Sequence, residues 1–163
     1  MYRAIVCELP NQTGAPGECP SIYWEQWGDA CYEFRWNTGS NWYNSNNKCQ
    51  YASGASENFE GNILSIESQA ENDFVSSKLT SNTNISVWIG LSKNLTDMKW
   101  LDGSPVHYQN WAHGEPSLEN NWCGRMDYGR PASGNWVTTS CYPTALFACK
   151  ARRRATTVSK AIE

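Results

Sequence analysis

No apolar run in the chain approaches the ~20 residues that a bilayer-spanning helix requires, which excludes a membrane span within it. The apolar stretch Ala4-Ile5-Val6-Cys7 is too short for the ~7–15-residue core of a secretory leader. There is no Cys-x-x-Cys pair, and His107 and His113 are the two histidines. Zinc-ribbon and dithiol redox chemistry therefore lack their ligand spacing, and both histidines read as ordinary exposed side chains. Charge is also sparse. Charged residues make up 18% of the chain, too few for one held unfolded by self-repulsion. The net charge of −3 has the wrong sign for a phosphate-binding surface, so nucleic acid is not an expected partner. The cluster Lys150, Arg152, Arg153 and Arg154 is read as the start of a solvated tail.

What the chain does hold is aromatic and sulfur-rich. Nine Trp, eight Tyr and four Phe in 163 residues require a packed interior to shelter them. That length fits one domain with short tails. The seven cysteines are Cys7, Cys19, Cys31, Cys49, Cys123, Cys141 and Cys149. Widely spaced in a loop-rich chain, they read as disulfides made in an oxidising compartment, and place the protein as secreted or as the extracellular part of a larger one. The glycosylation sequons at Asn11, Asn84 and Asn94 agree with that placement.

Residues 8–18 carry two prolines and two glycines and read as a linker. From Cys19 to Phe34 the pattern suggests a hairpin, with Tyr32 and Phe34 on one face. Asn41 to Gln50 is a short helix in which Trp42 and Cys49 share a face. A second helix begins at Ser68, where Ser68-Gln69-Ala70-Glu71 forms a capping box, and Ala70, Phe74, Val75 and Leu79 supply its apolar stripe. Val87-Trp88-Ile89-Gly90-Leu91 is a buried strand. Met98 to Leu101 leads into a turn at Asp102-Gly103, and a polar loop then extends to about Ser133. A connection of that length is normally functional or disordered, and its tryptophans favour order. Residues 135–138 and 145–149 supply two further strands. Helices first, then strands around a long loop, is an α+β pattern.

Several of these pieces together resemble the C-type lectin-like domain, over about residues 19–150. They are Cys19-Pro20 with Trp24, Cys31-Tyr32-Glu33-Phe34, Trp42 before Cys49, and Trp88-Ile89-Gly90-Leu91. Trp100 with Asp102-Gly103, Tyr108 with Asn110-Trp111, and Glu115-Pro116 follow in the family's order. Cys123, Gly134-Asn135-Trp136 before Cys141, and Phe147-Ala148-Cys149 complete it. The resemblance implies two helices, two small antiparallel sheets, a long ordered loop and three disulfides. Residues 1–18 would be a linker or the end of a preceding repeat, and 151–163 a basic, disordered tail. Six cysteines permit 15 pairings; the resemblance selects Cys19–Cys31, Cys49–Cys149 and Cys123–Cys141. Cys7 remains outside this map. It is open to an interchain disulfide, or, because Ile5-Val6-Cys7-Glu8 looks like Phe147-Ala148-Cys149-Lys150, to the last strand of a preceding copy.

Sugar-binding members of this family hold one calcium ion that two sugar hydroxyls ligate directly, and the chain departs from their ligand pattern. Glu115-Pro116 is present, and its peptide bond is expected to be cis by resemblance. Ser117 stands where the pattern has Asn, Asn121 where it has an acidic residue, and Val137-Thr138 where it has Asn-Asp. Calcium wants about 6–8 oxygen ligands, several of them carboxylate. Glu115 and Glu119 are the candidate metal ligands that remain, so calcium is a doubtful cofactor. The candidate ligand-binding residues are Glu115, Ser117, Glu119, Asn121, Trp122, Tyr128 and Thr138. Trp122 and Tyr128 match no core position of the family and are equally open to covering the loop's own backbone. The expected function is extracellular recognition of a glycan or glycoprotein through the long loop; the alternative is a protein receptor met by the same surface without calcium. Catalysis is not expected. Glu115 and Glu119 could be cast as a glycosidase pair, but they share one short loop with no sign of a cleft.

Overall fold

The computed structural model describes residues 19–54, 57–79, 85–128 and 134–154. The first hairpin turns at Gly28-Asp29. Gly28 adopts φ +60°, which lacks steric cost only without a Cβ, and this lets strand β1 (Glu25–Trp27) fold back on β2 (Ala30–Ser40) with Trp27 opposite Ala30. Helix α1 (Trp42–Gly54) is capped by Asn41, whose side-chain oxygen accepts from the Asn44 amide at 2.9 Å. It runs four residues beyond the expected Gln50. Strand β3 (Phe59–Ile63) follows, which the sequence pattern did not flag.

Helix α2 (Gln69–Lys78) starts where the capping box predicts, with the Ser68 hydroxyl accepting from the Glu71 amide at 3.1 Å. Its inner face differs from the expected stripe. Val75 and Leu79 are buried and Phe74 half-buried, but Ala70 is exposed, and Glu71 and Asn72 are buried in its place. Polar residues can take these positions because each has a partner. Asn72 Oδ1 accepts from Trp136 Nε1 at 2.9 Å. Glu71 accepts from the Tyr32 hydroxyl at 2.5 Å, from the Glu67 amide at 2.8 Å and from the Lys150 ammonium.

The remaining strands are β4 (Ile85–Asn94), β5 (Asp97–Trp100), β6 (Asn121–Tyr128), β7 (Asn135–Thr139) and β8 (Ala145–Arg153). One antiparallel group joins β1, β2, β8 and β3; the other joins β4, β5, β6 and β7. A short parallel contact, Val87 with Leu146 and Trp88 with Phe147, links them into one mixed sheet. At the junction Gly90 donates its amide to Leu64 O at 2.8 Å, and a Cβ there would lie 2.6 Å from the Ile63 carbonyl oxygen. Only glycine permits that approach.

Two expectations are corrected. The polar stretch after Gly103 was read as loop to about Ser133, but residues 121–128 form β6. Trp122, Cys123 and Met126 are buried there, and the strand pairs with β4 on one side and β7 on the other, so tertiary packing overrides a locally polar composition. The basic segment placed in a tail from 151 onward begins inside β8: Ala151 is fully buried, Arg152 binds Glu67, and the Arg154 amide donates to Asn58 O at 2.8 Å. Residues 155–163, Cys7, Asn11 and Asn84 lie outside the described residues.

The three disulfides are Cys19–Cys31, Cys49–Cys149 and Cys123–Cys141. The second spans 100 residues and ties α1 to β8; closing a loop of that size is worth about 4–5 kcal/mol in the chain-entropy model. The third links β6 to the segment after β7, at the foot of the long loop.

Candidate functional site

The loop between β5 and β6, residues 101–120, has little regular structure of its own and is held from below. Trp136 in β7 is its anchor. The Trp136 amide donates to Asn110 O at 2.7 Å, and the Ala112 amide donates to Trp136 O at 2.8 Å. The rings of Trp100, Tyr108 and Trp111 meet Trp136 edge to face at centroid distances of 5.5, 5.6 and 5.7 Å. The Tyr108 hydroxyl donates to Gln69 on α2 at 2.9 Å, and Asn110 Nδ2 donates to Gly134 O at 3.0 Å. At the loop's start, Asp102 accepts from Ser65 Oγ at 2.5 Å and from the Ser104 amide at 2.9 Å. Burial opposes ionisation of Asp102, but these hydrogen bonds and the Arg152 charge outweigh it and hold the carboxyl below its usual range.

On this base the loop brings Glu115 to β7. The Glu115–Pro116 peptide bond is cis, as the resemblance implied. Glu115 Oε2 accepts two hydrogen bonds from one residue: the Thr138 hydroxyl at 2.5 Å and the Thr138 amide at 3.1 Å. The same hydroxyl oxygen accepts from the Ser117 amide at 3.1 Å, and Ser117 Oγ accepts from the Glu119 amide at 3.2 Å. Glu119 O accepts from Lys93 Nζ at 3.3 Å, and Asn121 Oδ1 accepts from the Leu95 amide at 3.4 Å. Four of the seven residues singled out from the sequence, Glu115, Thr138, Ser117 and Glu119, thus form one chain of hydrogen bonds, and Asn121 is held separately by Leu95.

The other two are not part of it. Trp122 is 3% exposed and packs edge to face on Trp111 at 5.5 Å. Its ring is committed to the core and offers no face to a ligand, because alternation along β6 turns it inward while Asn121 turns out. Tyr128 ends β6 opposite Ile85, seven residues and roughly 23 Å of strand from Asn121. Asn94 lies at the end of β4, exposed and paired across strands with Asn121, which puts that sequon at the rim of the site. Leu118 and Leu95, which the sequence reading missed, are 96% and 64% exposed beside these polar groups. The available signal was a leucine with no periodic apolar neighbours in a polar loop.

No calcium site is evident among the described residues. Glu115 is committed to Thr138 through Oε2, Asn121 to a backbone amide, and Val137 has no side-chain oxygen. Among the described residues no three His, Cys, Asp or Glu side chains cluster as a metal site.

The family model for the lectin C-type domain matches residues 38–151. The chain belongs to the C-type lectin domain family. Mouse asialoglycoprotein receptor 2 is 29% identical over 162 residues, covering 94% of this chain and 49% of the receptor. Snaclec 5 of Bitis arietans is 32% identical over 146 residues, 85% of each chain. The crystal structure of the C-type lectin CEL-I from Cucumaria echinata superposes with a TM-score of 0.72 at 30% identity, over 82% of this chain and 98% of CEL-I. The chain spans about half the length of the mouse receptor it matches. A C-type lectin domain is a recognition fold and not a catalytic one, and among the described residues no helix is long and apolar enough to cross a membrane.

Proposed function

We propose that this C-type lectin domain is an extracellular recognition module that binds glycan through the long-loop surface without calcium. The observation that carries the reading is the closed arrangement of Glu115 and Thr138: hydroxyl, amide and carboxylate satisfy one another at the place where family members use a cation. Glu115 Oε1, the Glu119 carboxylate and the Asn121 amide then remain to hydrogen-bond sugar hydroxyls directly. The names of an asialoglycoprotein receptor and a lectin among its relatives point the same way. Residues 19–153 would form the module, with 1–18 a linker or the end of a preceding repeat and Cys7 available for an interchain bond. Retention on a glycan array with and without EDTA tests the proposal. Binding that persists in EDTA and falls in Glu115→Gln supports it; binding abolished by the chelator overturns it.

Leu118 and Leu95 favour a second reading, a protein partner. Two exposed leucines suit the apolar centre of a protein interface better than a sugar. A blank array, together with cell-surface binding that survives deglycosylation and is lost in Leu118→Asp, would select it.

A further inference from the structure

Strands β4, β5 and β6 meet at the rim of the long loop, and the sequon Asn94-Leu95-Thr96 stands at their tip. Of the three sequons it is the one within the described residues. Asn94 ends β4 paired with Asp97 of β5 on one side and with Asn121 of β6 on the other, so Leu95 and Thr96 alone make the β4–β5 turn. Two contacts hold that turn against the loop site. Leu95 takes φ +59°, which a residue with a Cβ rarely adopts, and its amide donates to Asn121 Oδ1 at 3.4 Å. Lys93, the residue before the sequon, donates from Nζ to Glu119 O at 3.3 Å. The turn is also open to solvent. Asn94, Leu95 and Thr96 are all exposed, and the Asn94 side-chain amide has no hydrogen-bond partner among the described residues.

Strand register sets where a group carried by Asn94 would stand. Directly paired residues on neighbouring strands point to the same face of the sheet, with Cβ atoms about 4.5–5.5 Å apart. Asn94 therefore shares its face with Asn121, the face opposite the buried Trp122 ring. Strand β6 lies between two flanks: β4 with Asn94 on one, and β7 with Thr138, bound to Glu115, on the other. The two exposed leucines lie on the Asn94 flank. Leu95 is bound to Asn121, and Leu118 adjoins Glu119, whose carbonyl Lys93 reaches. An oligosaccharide rooted at Asn94 is bulky and hydrated, and it would cover apolar side chains that otherwise face water. The three disulfides fit folding in the oxidising compartment where such sequons receive their sugar.

We infer that Asn94 carries an N-linked oligosaccharide that covers the β4 flank of the long-loop site, over Leu95 and Leu118, and leaves ligand access from the Glu115 flank. The position of the sugar stands on the strand register; its consequence for binding rests on the long loop being the ligand surface. The test uses the full chain secreted from a eukaryotic cell line, beside the variant Thr96→Ala, which removes the sequon and keeps Asn94. Glycopeptide mapping should find Asn94 occupied in the parent and bare in the variant. In hydroxyl-radical footprinting, oxidation of Leu95 and Leu118 should be at least about twofold slower in the parent than in Thr96→Ala, while Tyr51 on α1, 88% exposed, reacts equally in both. Enzymatic removal of the sugar from the parent should restore the faster rate, which separates cover by sugar from any change that the substitution makes to the turn. An unoccupied Asn94 overturns the inference. So does equal oxidation of Leu118 in parent and variant, or slow oxidation that survives removal of the sugar. Footprinting reads the cover without a ligand, so its failure is distinct from a blank glycan array, which would count against loop recognition alone.

Discussion

Glu71 and Glu115 are two carboxylates that the fold treats in opposite ways. Glu71 is buried between α2, β2 and β8, and the chain meets its charge with a charge: Lys150, itself buried, places its ammonium against Glu71 and donates to Ser65 O at 3.1 Å. Burial first, and then the neighbouring Glu71, push the Tyr32 phenol far above its ordinary range, so it stays protonated and donates to the same carboxylate. Glu115 is half-buried, faces solvent on one side, and receives only a hydroxyl and an amide. A carboxylate sealed from water must be paired, whereas one at the surface can keep its charge and exchange partners. The first region is therefore architecture, and the second is free to recognise a ligand.

The sharpest way to break this contrast is to remove the buried cation. Lys150→Ala leaves Glu71 uncompensated in the interior and should cost about 3–5 kcal/mol in chemical denaturation. The paired change Lys150→Met/Glu71→Gln removes both charges and should cost less than half as much. If Lys150→Ala cost under about 1 kcal/mol, the network would not be the structural element described.

Asp102 gives a smaller, pH-dependent effect. Its carboxyl is depressed in the folded state, so the stability it contributes is fully present above the ordinary carboxylate pKa of about 4 and is lost as pH falls through its lower folded value. Asp102→Asn removes that contribution, so the mutant should be less stable at pH 7, with the gap narrowing as pH falls below about 4. Thermal melts of both proteins across that range would check it; a gap that widened toward acid would contradict the assignment.

Much of this architecture was legible in the sequence where a local rule and the fold agree. Ser68 caps α2 as its hydroxyl predicts, and the Trp88-Ile89-Gly90-Leu91 run is buried on both faces of β4. The cysteine pairs came from family resemblance, since spacing alone permits many pairings. What was not legible depends on long-range partners. Glu71 looked like a capping residue, and its role in the interior is set by Lys150, 79 positions away. Strand β6 carries too many polar residues to announce itself, and it forms because β4 and β7 flank it. Trp122 offered even odds of binding or packing until the direction of β6 decided for packing. At the candidate site, the departure from the family's calcium pattern at Val137 and Thr138 could be seen in the sequence, but the closure of Thr138 onto Glu115 could not.

That closure supplies the smallest and most specific test. Thr138→Val keeps the shape of the side chain but removes the hydroxyl that donates to Glu115 at 2.5 Å and accepts from the Ser117 amide at 3.1 Å. The backbone bond from Thr138 to Glu115 at 3.1 Å remains, and water can reach the half-buried carboxylate. The loss should therefore be about 1 kcal/mol, or roughly 3–5 °C in Tm, well below that of Lys150→Ala. Thr138→Ser, which retains the hydroxyl, should stay within about 0.5 kcal/mol of the parent. If this pair stands in for a cation, EDTA should leave the Tm of the parent unchanged, since no bound ion stabilises the folded state. A Tm that fell with chelator, or a Thr138→Val loss as large as that of Lys150→Ala, would mean that the loop site is built on the same terms as the interior network and would remove the distinction between the two carboxylates.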